Sequence, residues 1–206
     1  MGDFDYDASG MPTALATANT GACTITITGG TFGSDGKENG MVFGSSRGDV
    51  AIPEGTPAVD PNDRMAWVYS THVTIGDANA ETSPTIKGSV YGSGENGHTF
   101  QNTIVDINKG IIGITDTSID GGAAYAYRGN VYGGGCGTDM YDSNGDTTKD
   151  AYNPLAGIVK GTTTINIAGG QVVHNVYGAG AMGSVGGGAD ANSGKTTINV
   201  TGGRIG

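Results

Sequence analysis

The sequence predicts an all-β parallel β-solenoid (β-helix) of irregular repeats with long loop insertions. Three observations lead there. Two short phrases alternate along the chain, one of them alternates apolar and polar residues strictly, and glycine fills 40 of 206 positions. That glycine share is far above the usual share of about 7%. Gly and Pro together stay below the level of low-complexity disorder, and Val, Ile and Thr are plentiful, so the glycines read as turn punctuation between short strands.

The first phrase appears as "GMVFGSSRG" at 40–48, "GSVYGSGENG" at 88–97, "GNVYGGGCG" at 129–137 and "HNVYGAGAMG" at 174–183. Val42, Val90, Val131 and Val176 are spaced by 48, 41 and 45 residues, a period that belongs to stacked arrays. The second phrase appears as "CTITITGGTF" at 23–32, "NTIVDINKGII" at 102–112, "TTTINIAGGQV" at 162–172 and "KTTINVTGGRI" at 195–205, with "THVTIGD" at 71–77 as a degenerate copy. In "TTINI", Ile165 and Ile167 share one face while Thr164 and Asn166 share the other, the pattern of a half-buried strand. The Gly-Gly or Lys-Gly that follows turns the chain, and one more apolar residue points back inside. The valine of "VYG" is expected to do the same.

No segment carries a 3.6-residue apolar period over 11 or more residues, so no helix is expected. Each strand pair is too small to bury its own face and must stack on its neighbours. An antiparallel β-sandwich is the alternative, since glycine turns also make hairpins. Recurrence of identical phrases, instead of complementary ones, favours the solenoid.

Residues 1–22 match neither phrase and read as an N-terminal cap or arm, with 23–206 as the Gly-rich solenoid domain. Long insertions at 45–64, 115–129 and 138–157 map to surface turns, where binding tends to reside. "RMAWVYSTHVTIG" (64–76) holds the sole tryptophan and reads as an extension of a strand. The chain ends at "TGGRIG", where the next "VYG" would fall, which suggests a segment of a longer array.

Ten basic against twenty acidic residues give a net charge of −10. This argues against nucleic acid or an anionic membrane surface as a partner, since both require clustered Lys and Arg. No apolar stretch approaches the length of a membrane span. The start "MGDFDYDASG" lacks the apolar core of a signal peptide, so either the chain is cytosolic or its leader lies elsewhere, and the second fits an exported array better. Cys23 and Cys136 have no metal-binding spacing and read as two unpaired small hydrophobes.

A phosphate-cradling role for "GGGCG" fails, because no helix and no Lys-Ser/Thr follow it. Calcium is harder to dismiss. "GGCGTDMYD" matches one nonapeptide calcium repeat, and Asp142, Asn144, Asp146 and Asp150 follow at calcium-loop spacing. Thr147 and Asn153 stand where an EF-hand has Gly and Glu. The set Asp139, Asp142, Asn144, Asp146 and Asp150 is the candidate Ca2+ loop, with a solvated acidic loop as the favoured reading. Asp3, Asp5 and Asp7 form a lesser candidate.

Phe43, Tyr91, Tyr132 and Tyr177 share one register and form a candidate aromatic column, either a row of rings for a sugar or protein ligand or a structural stack. The stack is favoured. A threonine lattice for ice begins at Thr24, Thr26 and Thr28 but is broken by Asp106, Asn166 and Asn199. The Arg-Gly-Asp at 47–49 is a tripeptide common by chance. His72, His98 and His174 have no ligand spacing. Asp116 and Asp120 lack a basic partner, which leaves a glycosidase dyad as a matter of fold-level distance.

With its alternating "TTINIAGGQVVHNVYGAGAMGSV" and "GNVYGGGCG" units, the chain resembles the Gly-rich repeat regions of large bacterial surface, adhesin-like proteins. The resemblance spans roughly residues 23–206. It implies an extracellular or cell-surface, rigid, non-catalytic module without a resident cofactor that presents loops to a glycan or a surface protein. The alternatives are a carbohydrate-active β-helix enzyme (lyase or hydrolase) and a self-assembling filament subunit that associates end to end.

Overall fold

The computed structural model describes residues 22–34, 39–48, 66–114, 129–137, 148, 156–188 and 191–206. Nearly all of the expected N-terminal arm and most of the three long insertions lie outside them. The described chain is a right-through stack of parallel strands with no helix, so the antiparallel sandwich is excluded. No helix among the described residues is long and apolar enough to cross a membrane.

The strands fall into successive rungs. The first contains β1 (Ala22–Ile27), β2 (Thr31–Phe32), β3 (Val42–Phe43) and β4 (Trp67–Val68). The second contains β5 (Ser70–Ile75), β6 (Thr85–Ile86), β7 (Val90–Tyr91) and β8 (His98–Thr99). The third has β9 (Thr103–Ile107), β10 (Ile111–Ile112) and β11 (Val131–Tyr132). The fourth has β12 (Thr163–Ile167), β13 (Gln171–Val172) and β14 (Val176–Tyr177), and the last has β15 (Thr196–Val200) and β16 (Arg204–Ile205).

Stacking these rungs makes three main faces. The long strands form a five-stranded sheet in the order β1-β5-β9-β12-β15, the strands after the glycine turn form β16-β13-β10-β6-β2, and the "VY" strands form β14-β11-β7-β3. A short β4-β8 pair is continued by single bridges from Thr99 to Val159 and from Val159 to Val185. The valines of the first phrase lie directly opposite one another, Val42 on Val90, Val90 on Val131 and Val131 on Val176.

The core is a column fed by all three faces. Val73, Ile75, Val105, Ile107, Ile165 and Ile167 come from the long strands, Ile86, Ile112 and Val172 from the second face, and Val42, Val90 and Val131 from the third. Strict alternation along each long strand is what delivers them, because every second residue points inward. Burial of one such side chain stabilises the stack by about 1.5–3 kcal/mol.

Glycine is needed at two kinds of position. The residue that turns the chain after the long strand has φ of 87° at Gly30, 114° at Gly110, 76° at Gly170 and 78° at Gly203, a region that side chains disfavour. The glycine after "VY" has an ordinary φ but no space: a Cβ at Gly133 would collide with the Gly178 carbonyl oxygen and lie 2.9 Å from the Thr163 Cβ. Gly133→Ala is therefore expected to cost about 1–3 kcal/mol. Gly29→Ala, whose Cβ meets only the Thr82 side chain at 3.2 Å, should cost far less. Chemical denaturation of the two variants checks this.

One sequence expectation is borne out and one is corrected. "THVTIGD" is a full member of the long sheet, with Val73 and Ile75 facing Ile25 and Ile27 in register. Its apolar alternation survived although its turn residues did not. "RMAWVYSTHVTIG" is two strands on different faces, broken by a bend at Tyr69, because Trp67 leaves the core column to pack with Ile158, Tyr69 and Phe100.

Candidate functional site

The alternation that buries valine and isoleucine in the long sheet sends the intervening side chains outward. Parallel register aligns them into two rows across the rungs. One row is Thr24, His72, Ile104, Thr164 and Thr197, and the other is Thr26, Thr74, Asp106, Asn166 and Asn199. The rows form a grid with about 4.8 Å between rungs and about 6.6 Å along each strand.

Hydrogen bonds tie the second row together. His72 Nε2 lies 2.7 Å from Asp106 Oδ2, Asn166 Nδ2 donates to Asp106 Oδ1 at 2.7 Å, and Asn199 Nδ2 donates to Asn166 Oδ1 at 2.9 Å. Asn166 is thereby held in one orientation, since its oxygen and nitrogen have different neighbours. A preset array of amide groups loses less entropy on meeting a ligand than a loose one would. Asp106 is the single carboxylate in these two rows.

At the corner where the long strands begin, a groove of about 370 Å³ crosses the last three rungs. Asn102, Thr162 and Lys195, each one residue ahead of its strand, line it together with Thr164, Thr197 and Ser193. Its walls are fixed from behind. Thr71, Thr103 and Thr163 point inward and donate to the carbonyl oxygens of Gly92, Gly133 and Gly178, the latter two at 2.5 Å. Asn102 Oδ1 accepts from both the backbone N–H and the hydroxyl of Thr162 at 2.9 Å. Ser193 Oγ donates to the Lys160 carbonyl at 2.5 Å and accepts from the Gly188 N–H at 2.7 Å. The groove thus offers amides, hydroxyls and one ammonium group on a braced backbone.

The four aromatic residues do come together. Ring centroids are 4.7 Å apart for Phe43 and Tyr91, 4.8 Å for Tyr91 and Tyr132, and 4.9 Å for Tyr132 and Tyr177, with interplanar angles of 14°, 6° and 9°. The rings spend their faces on one another. Tyr91 is 2% and Tyr132 5% exposed, whereas Tyr177 at the end of the stack is 43% exposed. Met41, Ala181 and Cys136 close the outer side of the column. Burial, and then the neighbouring Cys136, pushes the Tyr91 hydroxyl well above the usual phenol range. Burial also raises the Cys136 thiol, with Glu95 adding to the effect. That keeps the sulfur protonated and poorly nucleophilic. Both Cys136 and the exposed Cys23 are free.

The candidate calcium residues Asp139, Asp142, Asn144, Asp146 and Asp150 lie outside the described residues, as do Asp3, Asp5, Asp7, Asp116 and Asp120. Among the described residues no group of three or more His, Cys, Asp or Glu side chains could hold a metal ion. In the Arg-Gly-Asp tripeptide, Arg47 reaches Glu95 at 3.3 Å, and Asp49 lies outside the described residues.

His98 belongs to the packing around Trp67. Its ring packs 4.5 Å from Trp67, and its Nδ1 accepts the Ile158 N–H at 3.1 Å. Burial, reinforced by Lys160, lowers its pKa from 6.5 to about 3. The unfolded chain takes up this proton below pH 6.5 while the folded one holds His98 neutral down to about pH 3. Stability is therefore complete above pH 6.5 and falls as the pH drops through that window. Discounting the full shift for water entry, we expect a loss of roughly 2 kcal/mol. Denaturation midpoints between pH 7 and 4 should show a shallower slope in His98→Gln.

The groove was missed in the sequence because its residues come from three rungs with loops of unequal length between them. One signal was present: the residue before each inward threonine, at 102, 162 and 195, is polar every time. No protein-family model, curated protein or solved structure matches the chain.

Proposed function

We propose that the chain is a non-catalytic structural and adhesive module of a secreted or surface-anchored bacterial protein, and that it binds glycans on the outward face of its long sheet. The observation that carries this reading is the preorganised grid of amides and hydroxyls that continues into the corner groove. Sugar hydroxyls both donate and accept, and such groups match them in kind. A second carboxylate beside Asp106 would be needed for the usual glycosidase chemistry, and the two rows supply none. The direct test is a glycan-array screen run beside a polysaccharide-degradation assay. Binding without release of shorter products is the expected result; turnover would replace this reading with a carbohydrate-active enzyme.

A second reading, end-to-end assembly into filaments, is favoured by the last rung. Ile198, Val200 and Ile205 are 42%, 53% and 43% exposed, although their register partners Ile165, Ile167 and Val172 are buried. Such apolar surface accepts a further rung, from a continuation of this chain or from a second copy of it. Light scattering against concentration should show growth that Val200→Lys suppresses. A strictly monomeric species at high concentration would dispose of the filament.

The acidic loop from Asp139 to Asp150 is tested by melting in EDTA and then in excess Ca2+. The favoured reading, a solvated loop, predicts an unchanged Tm, and a clear rise with Ca2+ would make it a calcium site.

A further inference from the structure

We infer that the corner groove selects linear oligosaccharides carrying an isolated carboxylate, such as a single uronic or sialic acid, with Lys195 receiving the carboxylate. The inference rests on the glycan reading above and gives it a ligand class. Among the described residues Lys195 is the one cation lining the groove. Its ammonium group has no hydrogen-bond or ion-pair partner among the described residues, whereas Lys109 is bound to the Ala80 carbonyl oxygen at 2.6 Å and Arg47 is bound to Glu95. A charged group held at the rim of a polar groove without a partner is a ready site for an anion.

The rest of the groove defines what carries that anion. Asn102, Thr162 and Lys195 occupy the same position on three consecutive rungs, so the groove runs along the solenoid axis and suits an extended ligand. The rise from rung to rung is about 4.8 Å, close to the length of one pyranose ring, which lets successive sugars meet successive rungs. The hydroxyls of Thr164 and Thr197 line the same floor, and Ile104, 37% exposed, precedes them in its row. Aliphatic surface beside hydroxyls suits the two-sided character of a sugar, with C–H on one face and O–H at its edge.

Two other classes of anion fit less well. A peptide bound by strand addition lies along one strand edge, whereas the groove crosses three rungs and β12 at its centre is paired on both sides, with β9 and β15. A polyanion would be repelled by the net charge of −10, which acts over a Debye length of roughly 8–10 Å. An isolated carboxylate meets much less of that opposition, because repulsion scales with the charge carried.

The test uses the full chain and the Lys195→Gln and Thr164→Val variants on an array of length-matched neutral and singly uronylated or sialylated oligosaccharides, with acidic peptides as a separate set. The strongest acidic binder and its neutral counterpart are then titrated by calorimetry. We expect the acidic member to bind roughly tenfold more tightly. Lys195→Gln should bring the acidic and neutral affinities to the same value, and Thr164→Val should weaken both while keeping their ratio. The preference should shrink as salt is raised. Equal affinities, or a preference that survives Lys195→Gln, would overturn the role of Lys195 and leave the glycan reading standing. Capture of acidic peptides alone, or no binding across the array, would overturn both.

Discussion

Tyr132→Ala is expected to lower stability by about 3–5 kcal/mol. The ring is 5% exposed and stacked on both sides, against Tyr91 at 4.8 Å and Tyr177 at 4.9 Å. Its removal opens a cavity and interrupts two stacking contacts, each adding about 0.5–1.5 kcal/mol beyond burial. Tyr177→Ala is the internal control. That ring is 43% exposed with a single stacking neighbour, so its loss should cost about 1 kcal/mol. Equal costs at the two positions, measured by urea denaturation, would mean that the stack does not grow in strength toward its middle. Tyr132→Phe should cost little by comparison, since it preserves the ring.

The second large effect is at Ile107. Its side chain is fully buried in the middle rung, and its register partners are Ile75 and Ile167. Ile107→Ala removes apolar contact with the rungs above and below it, at a cost of about 2–5 kcal/mol. The equivalent change in the last rung, Val200→Ala, acts on a side chain 53% exposed and should cost well under 1 kcal/mol. Such a gradient from middle to end is what a stack held by nearest-neighbour interfaces requires. A similar cost at both positions would point to a core that is not organised by rungs.

Much of this architecture was legible in the sequence, and the reason is repetition. Val42, Val90, Val131 and Val176 sit opposite one another because identical phrases in identical environments stack in parallel. The inward set was also readable, since a period of two leaves no freedom over which face Ile165 and Ile167 occupy. What stayed hidden depends on contacts between unlike segments. Trp67 and His98 pair across rungs although "AW" and "HT" share no phrase. Burial of the tyrosine column depends on Met41, Ala181 and Cys136, which come from three different rungs.

The candidate site was half legible for the same reason. Asp106, Asn166 and Asn199 were visible as breaks in a threonine lattice. Only the structure reveals that the breaks are a hydrogen-bonded row, with Asn166 bridging Asp106 and Asn199. The corner groove could not be assembled from sequence because Asn102 and Thr162 are 60 residues apart, a separation set by a long insertion and not by the strands themselves.

The account places the ligand on the outward face of the long sheet, and mapping the bound state by backbone amide NMR tests that placement most directly. Titration with the strongest glycan from the array should shift the amides of Thr164, Asn166, Lys195, Thr197 and Asn199 while leaving Phe43, Tyr91, Tyr132 and Tyr177 in place. Shifts confined to the aromatic column, or to residues outside the long sheet and its corner groove, would contradict it.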